Sequence, residues 1–372
     1  MSLQLNLQPF KLERYFAKYE FTTRYLLCSS DPESMTTADL LALEPGAQER
    51  YLNHWLGYTE SIGAPTLRAE VARIYTTITP EEILMFSGAE EAIFLFLMAT
   101  LNNQDAHAII HTPCYQSYTE VARGTGAQVS EWQAREESGW ALDIDELRRL
   151  IRPNTKVILI NTPHNPTGYL MSPDLFAQVN QIAQEHDILL FSDEVFRESE
   201  YGGPTLPAAC DVNRSAISLG VLSKTYALPG LRIGWVATHN REIFNRMAAL
   251  KDYTTICNSA PSEVLAEVAL KHRQELAQRT VKRLRQNLAL LDGFFTRHAE
   301  MFSWQRPQAS PMSFPKLLQG EIDHFADQLV REAGVLLLPG SVYGDTGNHF
   351  RLGFGRANMP EALAKLEAFI RH

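Results

Sequence analysis

Four stretches of this chain, AHAIIH (106–111), KVILIN (156–161), DILLFSD (187–193) and SAISLGV (215–221), are short and mostly apolar. A strand with one wet face alternates polar and apolar residues, whereas a strand covered on both faces need not. Helical patterns such as DIDELRRLI (143–151) and SPDLFAQVNQIAQEH (172–186) separate these runs, which predicts βαβ units and a parallel sheet with helices on both faces. Ser172 and Pro173 supply an N-cap and a first-turn proline for the second helix. EEAIFLFLMATLN (90–102) is apolar almost all round and is predicted to be a buried helix. A long helical stretch follows Pro261 through much of 262–298. Short strands are expected around 311–318, 335–338 and 348–353, and a closing helix at 360–371. This order predicts an α/β fold in two parts. A large domain over 45–255 holds the mostly parallel sheet, and a smaller α+β domain is built from 1–44 and 256–372.

Several function classes fit poorly. A net charge of −9 argues against a broad basic face for nucleic acid or an anionic membrane. The longest apolar run, AIFLFLMATL (92–101), is too short to span a bilayer, and the opening MSLQLNLQPFKLERYF lacks the pattern of a secretory signal. Cys28, Cys114, Cys210 and Cys257 are scattered without a C-x-x-C pair, as expected of reduced thiols in a cytoplasmic protein. His107, His111 and Cys114 lie close in sequence, but two fall on a predicted strand with no fourth ligand evident, so no metal site is expected. Gly124-x-Gly126 and Gly353-x-Gly355 lack the full dinucleotide fingerprint, and no Walker loop, H-E-x-x-H or G-x-S-x-G is present.

In an open parallel sheet, ligands bind beyond the carboxyl ends of the strands. Asn165 lies in the loop after KVILIN, Asp193 ends DILLFSD, and Lys224 follows SAISLGV by three residues. Ser87, Gly88 and Ala89 open the apolar helix. An amine, a carboxylate, an amide and a helix N-terminus thus meet at one sheet edge. These are the parts that pyridoxal 5′-phosphate chemistry needs: an amine for a Schiff base, an anion beside the pyridine nitrogen and a phosphate site.

LSKTYALPGLRIGW (222–235) resembles the cofactor-lysine signature of the fold-type-I aminotransferases, the class I/II, aspartate-aminotransferase-like superfamily, with the Lys224-to-Arg232 spacing matching. Further segments resemble that family in order along nearly the whole chain: LGYTESIGAPTLR (56–68), FSGAEEAIF (86–94), TPCYQSY (112–118), NTPHNPTG (161–168), SDEVF (192–196), LPGSVYG (338–344) and HFRLGFGR (349–356).

The resemblance implies a pyridoxal 5′-phosphate enzyme in which Lys224 forms the Schiff base and shuttles the proton. Asp193 would keep the pyridine nitrogen protonated, a capping acid at a strand end being the minor alternative, and Asn165 would donate to the ring oxygen, a role compatible with a turn before Pro166. Ser87, Gly88, Ala89 and Arg232 would hold the phosphate, and Tyr115 would stack on the ring, a core aromatic being the alternative. Arg351 would grip the substrate carboxylate with a two-pronged guanidinium. Tyr58 would reach the phosphate of a neighbouring subunit, which implies a homodimer with shared active sites.

The chain also departs from the family pattern. Phe196 stands where many relatives have tyrosine, and Val221 where serine or threonine is common, with Ser223 beside the lysine. SSDPES (29–34), containing Ser30, occupies the place of a substrate loop. The expected activity is amino-group transfer between an amino acid and a 2-oxo acid. The alternative is elimination, replacement or cyclisation, because LERYFAKYEFTTRYLLCSSDPES (12–34) resembles the capreomycidine-synthase branch. A regulator without catalysis ranks last, since Lys224 and Asp193 are intact and only some 45 residues precede the large domain.

Overall fold

The continuous apolar runs form the middle of a seven-stranded sheet in the computed structural model, which describes residues 6–102, 105–203, 205–344 and 347–371. The first five residues, part of the opening segment considered above for a signal, lie outside the described residues. The strands are β1 (Ile83–Phe86), β2 (His107–Thr112), β3 (Gln128–Gln133), β4 (Thr155–Asn161), β5 (Leu189–Asp193), β6 (Ile217–Val221) and β7 (Gly234–Ala237). Their spatial order is β1-β7-β6-β5-β4-β2-β3, and all but β7 run in the same direction.

Both faces are covered, which explains why the central runs do not alternate. Ala108 and Ile110 of β2, with Val157 and Leu159 of β4, pack on one face with Phe96 and Phe191. Ile109, Ile158 and Ile160 point the other way, against Phe176, Val179 and Ile182 of the helix Pro173–Glu185. That helix starts as expected, with Ser172 Oγ accepting from Leu175 N at 3.2 Å. Edge strand β3 has the sequence QVSEWQ and buries only Ser130 and Trp132, so its apolar signal is too weak to be noticed in the sequence.

Three helices frame the site below: α1 (Lys11–Tyr19), α2 (Ala89–Thr100) and α3 (Gln116–Gly124). The stretch after Pro261 forms two helices, Ala260–Lys271 and Arg273–Arg297, interrupted at His272. Both ends of the chain share one apolar cluster, in which Leu27 joins Leu288, Phe294, Leu337, Phe350 and Leu366. Tyr25–Leu26 pairs in parallel with Val335–Leu336. Among the described residues, no helix is long and apolar enough to cross a membrane.

Candidate active site

Strands β4, β5 and β6 end at the same sheet edge, where β1 also ends and β7, being antiparallel, begins. The parallel strand β2 ends there too, so loops from six strands converge on one place. A cavity of about 330 Å³ opens there, lined by Lys224, Asp193, Asn165, Tyr115, Arg232 and Arg351 together with Ser30, Ala89, Phe196, Val221 and Ser223. Of the three residues expected at the start of α2, only Ala89 lines it; Ser87 and Gly88 precede it in the turn after β1. Tyr58 lies outside this cavity and is 88% exposed.

Lys224 sits in the turn after β6, half-buried, and Nζ donates to Ser30 Oγ at 2.8 Å. Burial holds this amine below the ordinary lysine range; Asp31 and Asp193 oppose that effect, and Arg351 and Arg232 add to it. A larger fraction of unprotonated amine makes it a better nucleophile.

Asp193 is 3% exposed. Its carboxylate accepts from Val195 N at 3.1 Å and from the Tyr118 hydroxyl. Burial nevertheless pushes its pKa up to about 6, against the lowering effect of both hydrogen bonds and of Lys224. A buried carboxylate in that condition is stabilised by any cationic N–H placed beside it.

Arg351 is 1% exposed and held on two sides. Nε donates to Cys28 O at 2.9 Å, and Nη1 donates to Tyr343 Oη at 2.7 Å and to Asn165 Oδ1 at 3.3 Å. Nη2 is buried without a protein partner. Tyr343 Oη donates to Asn165 Oδ1 at 3.0 Å, so the oxygen of that amide is occupied and its nitrogen is left to donate. Asn165 is itself anchored, its N–H donating to Asn161 Oδ1 at 2.7 Å, while Asn161 Nδ2 donates to the Asp193 carbonyl at 3.0 Å.

At the start of α2, Gly88 is the N-cap with φ 94°, a conformation that favours glycine. A Cβ there would also lie 2.5 Å from Arg232 Nη2. The guanidinium therefore lies against an uncapped helix N-terminus, where the dipole favours an anion. Ser223 lines the same cavity, and its Oγ is buried with no hydrogen-bond partner among the described residues.

Sequence reasoning missed Tyr118 and Tyr343. Each lies inside a segment already singled out, TPCYQSY and LPGSVYG, but only the first tyrosine of the former was assigned a role. It also missed four acidic residues lining the cavity: Glu13, Glu20, Asp31 and Glu90. The histidines considered for a metal have other partners. His107 contacts Thr155 Oγ1 and Ser130 Oγ at 2.8 and 2.9 Å, and His111 stacks on His164 at 3.9 Å.

The chain is similar to proteins of known structure and sequence. A PLP-dependent aminotransferase from Streptococcus suis superposes with a TM-score of 0.93 at 34% identity, over 98% of each chain. The PLP-dependent cyclase OrfR superposes with a TM-score of 0.91 at 27% identity, again over 98% of each. Capreomycidine synthase of Streptomyces vinaceus is 26% identical over 95% of this chain and 92% of its own length. Residues 25–366 match the family aminotransferase class I and II, and the chain belongs to that family.

Proposed function

We propose that this enzyme transfers an amino group between an amino acid and a 2-oxo acid, using the Lys224 amine and pyridoxal 5′-phosphate. The carrying observation is that Lys224 shares a cavity with Arg351, whose buried Nη2 has no partner among the described residues. One group suits a carbonyl compound and the other a carboxylate, and every α-amino acid and 2-oxo acid has a carboxylate beside its reacting carbon.

The residues present fit the cofactor. Ala89 with the turn at Ser87 and Gly88, the Arg232 guanidinium and the unpartnered Ser223 hydroxyl would hold the phosphate. Asp193 would sit at the ring nitrogen, Asn165 would donate its free amide N–H to the ring oxygen, and Tyr115 and Phe196 would line the ring. When bound, pyridoxal 5′-phosphate supplies a carbonyl that takes up amino groups and a ring that draws electrons from the substrate α-carbon.

The protein's own work is then specific. Lys224 would hold the cofactor covalently, and its amine would carry the proton to and from the substrate α-carbon. Asp193 would favour a proton on the ring nitrogen. Arg351, braced by Tyr343, Asn165 and the Cys28 carbonyl, fixes the α-carboxylate, and Ser30 orients the lysine amine.

The wider reading is also a proposal. The large domain spans 45–255 and the small one 1–44 with 256–372. Trp55, Leu56, Tyr58 and Tyr253 are each at least 80% exposed, and Lys251 Nζ ties the Ser61 and Ile256 carbonyls together at 2.8 and 3.2 Å. Such exposed aromatic surface suits a homodimer in which Tyr58 serves the other subunit's site. The four unpaired cysteines suit a cytoplasmic location.

The similarity to capreomycidine synthase and to a cyclase supports a second reading, in which an amino acid is eliminated, substituted or cyclised on the same machinery. An amino-acid panel separates the two. Equal formation of a 2-oxo acid from the donor and an amino acid from the acceptor supports transfer. Ammonia, or a rearranged product without acceptor consumption, supports the second.

A further inference from the structure

We propose that Glu13 and Glu20 select a substrate whose side chain carries a positive charge, an amine or a guanidinium. This rests on the reading of the cavity as an amino-acid site.

Glu13, Phe16 and Glu20 follow one another at spacings of three and four, which puts them on one face of α1 and its C-cap. All three line the cavity. Phe16 lies beside the carboxylate grip, its ring centroid 5.9 Å from the Arg351 guanidinium carbon. Arg351 lines that cavity, and its buried Nη2 has no partner among the described residues, so the guanidinium marks where a ligand carboxylate docks. Whatever side chain hangs from the same ligand then comes close to the acidic face of α1.

The charges around the cavity divide unevenly. Its cations are Lys224, Arg232 and Arg351, each with a task in holding the cofactor or the α-carboxylate. Among its acids, Asp193 is held by Tyr118 and Val195, Asp31 pairs with Arg356 Nη2 at 2.6 Å, and Glu90 Oε1 accepts from Ser117 Oγ at 2.6 Å. The Glu13 and Glu20 carboxylates make no hydrogen bond or ion pair among the described residues. Burial and repulsion from Asp31 and Glu13 push the Glu20 carboxyl above its usual range against the smaller opposing pull of Arg356 and Arg351, and a further cation would relieve the remaining cost. A side-chain carboxylate would meet these acids with no spare lining cation, and an aromatic ring would leave their repulsion in place.

The test uses the cofactor-loaded protein and ligands that lack the α-amine and so cannot react. 5-Guanidinopentanoate, hexanedioate and 3-phenylpropanoate are titrated by calorimetry. The guanidinium ligand is expected to bind at least about tenfold more tightly than hexanedioate. Glu20→Gln and Glu13→Gln should each weaken it by about tenfold, as for loss of a charge-assisted contact, while 3-phenylpropanoate is unaffected. Tighter binding of hexanedioate, or an equal loss for all three ligands in the glutamine variants, overturns the proposal.

A parallel turnover panel of arginine, lysine, ornithine, aspartate and phenylalanine separates the two levels. Turnover of aspartate or phenylalanine without the basic amino acids overturns the specificity and leaves amino-group transfer standing. Selective binding of the guanidinium ligand with no amino acid consumed supports the specificity and overturns the transfer reading.

Discussion

Lys224 Nζ donates to Ser30 Oγ across 2.8 Å, joining the turn after β6 to a segment 194 residues earlier in the chain. The acceptor is a neutral hydroxyl, so it orients the amine without adding the full charge attraction that a carboxylate would bring. Borohydride reduction of the loaded protein, followed by peptide mass spectrometry, is expected to find the cofactor on Lys224. Lys224→Ala should retain cofactor through its phosphate contacts and lose turnover by several orders of magnitude. Ser30→Ala should keep the label on Lys224 and slow turnover only about three- to tenfold, the scale of one neutral hydrogen bond. A label on another lysine would reject the assignment.

The contact from Tyr118 to Asp193 gives a pH signature in the cofactor-free protein. The folded form raises the Asp193 pKa from 3.8 to about 6, so it binds that proton more tightly than the unfolded chain does. An ionised Asp193 therefore costs stability above about pH 6, and the cost is relieved as pH falls through that value. Relative to Asp193→Asn, the unsubstituted protein should gain about 1–1.5 kcal/mol between pH 8 and 5. Tyr118→Phe removes a hydrogen bond to the ionised form and should move that transition up by about 1–2 pH units. Urea unfolding of the three proteins across this range checks both shifts; identical pH dependence in all three would contradict the burial of an ionisable Asp193.

The positions of Lys224, Asp193 and Asn165 were legible because each follows a run whose apolar character is set by burial on both faces. Glu13 and Glu20 were not legible, because acids on an amphipathic helix suit a solvated face, and Glu13 stays exposed even as it lines the cavity. Tyr118 lies 75 residues from Asp193, and Tyr343 lies 178 from Asn165, so no local pattern links either pair. The antiparallel course of β7 was equally hidden, since GWVA is too short to carry a direction. His272 interrupts a helical pattern without a proline or glycine to announce it.

Arg351 offers a cleaner separation of substrate from cofactor. Its guanidinium uses Nε and Nη1 on Cys28, Tyr343 and Asn165, and Nη2 is buried without a partner among the described residues. A lysine ammonium has no planar fork with which to hold those partners and a carboxylate together. Arg351→Lys is expected to raise substrate KM by about tenfold or more, the loss of one charge-assisted hydrogen bond, with little change in cofactor affinity. Steady-state kinetics with equilibrium cofactor titration checks this. A fall in cofactor affinity at unchanged KM would exchange the roles of Arg351 and Arg232.

Phe196 is 1% exposed and lines the cavity, with Lys224 Nζ 5.9 Å from its ring centroid. Three tyrosines that could replace a missing hydroxyl are committed elsewhere. Tyr226 Oη donates to Glu198 Oε2 at 2.9 Å, Tyr201 to the Ser310 carbonyl, and Tyr343 lies between Arg351 and Asn165. Phe196→Tyr therefore introduces a new donor near Lys224. In the loaded protein, loss of the proton at the Lys224 nitrogen leaves a ring oxygen anionic, and a hydroxyl donating to that oxygen favours the deprotonated form. A charge-assisted hydrogen bond of about 1.5–3 kcal/mol corresponds to a midpoint about 1–2 pH units lower. Asn165 shares the same oxygen, which puts the expected shift toward the smaller figure. A visible-absorbance pH titration of both proteins without substrate measures it, and an unchanged or raised midpoint would mean that position 196 does not face the ring oxygen.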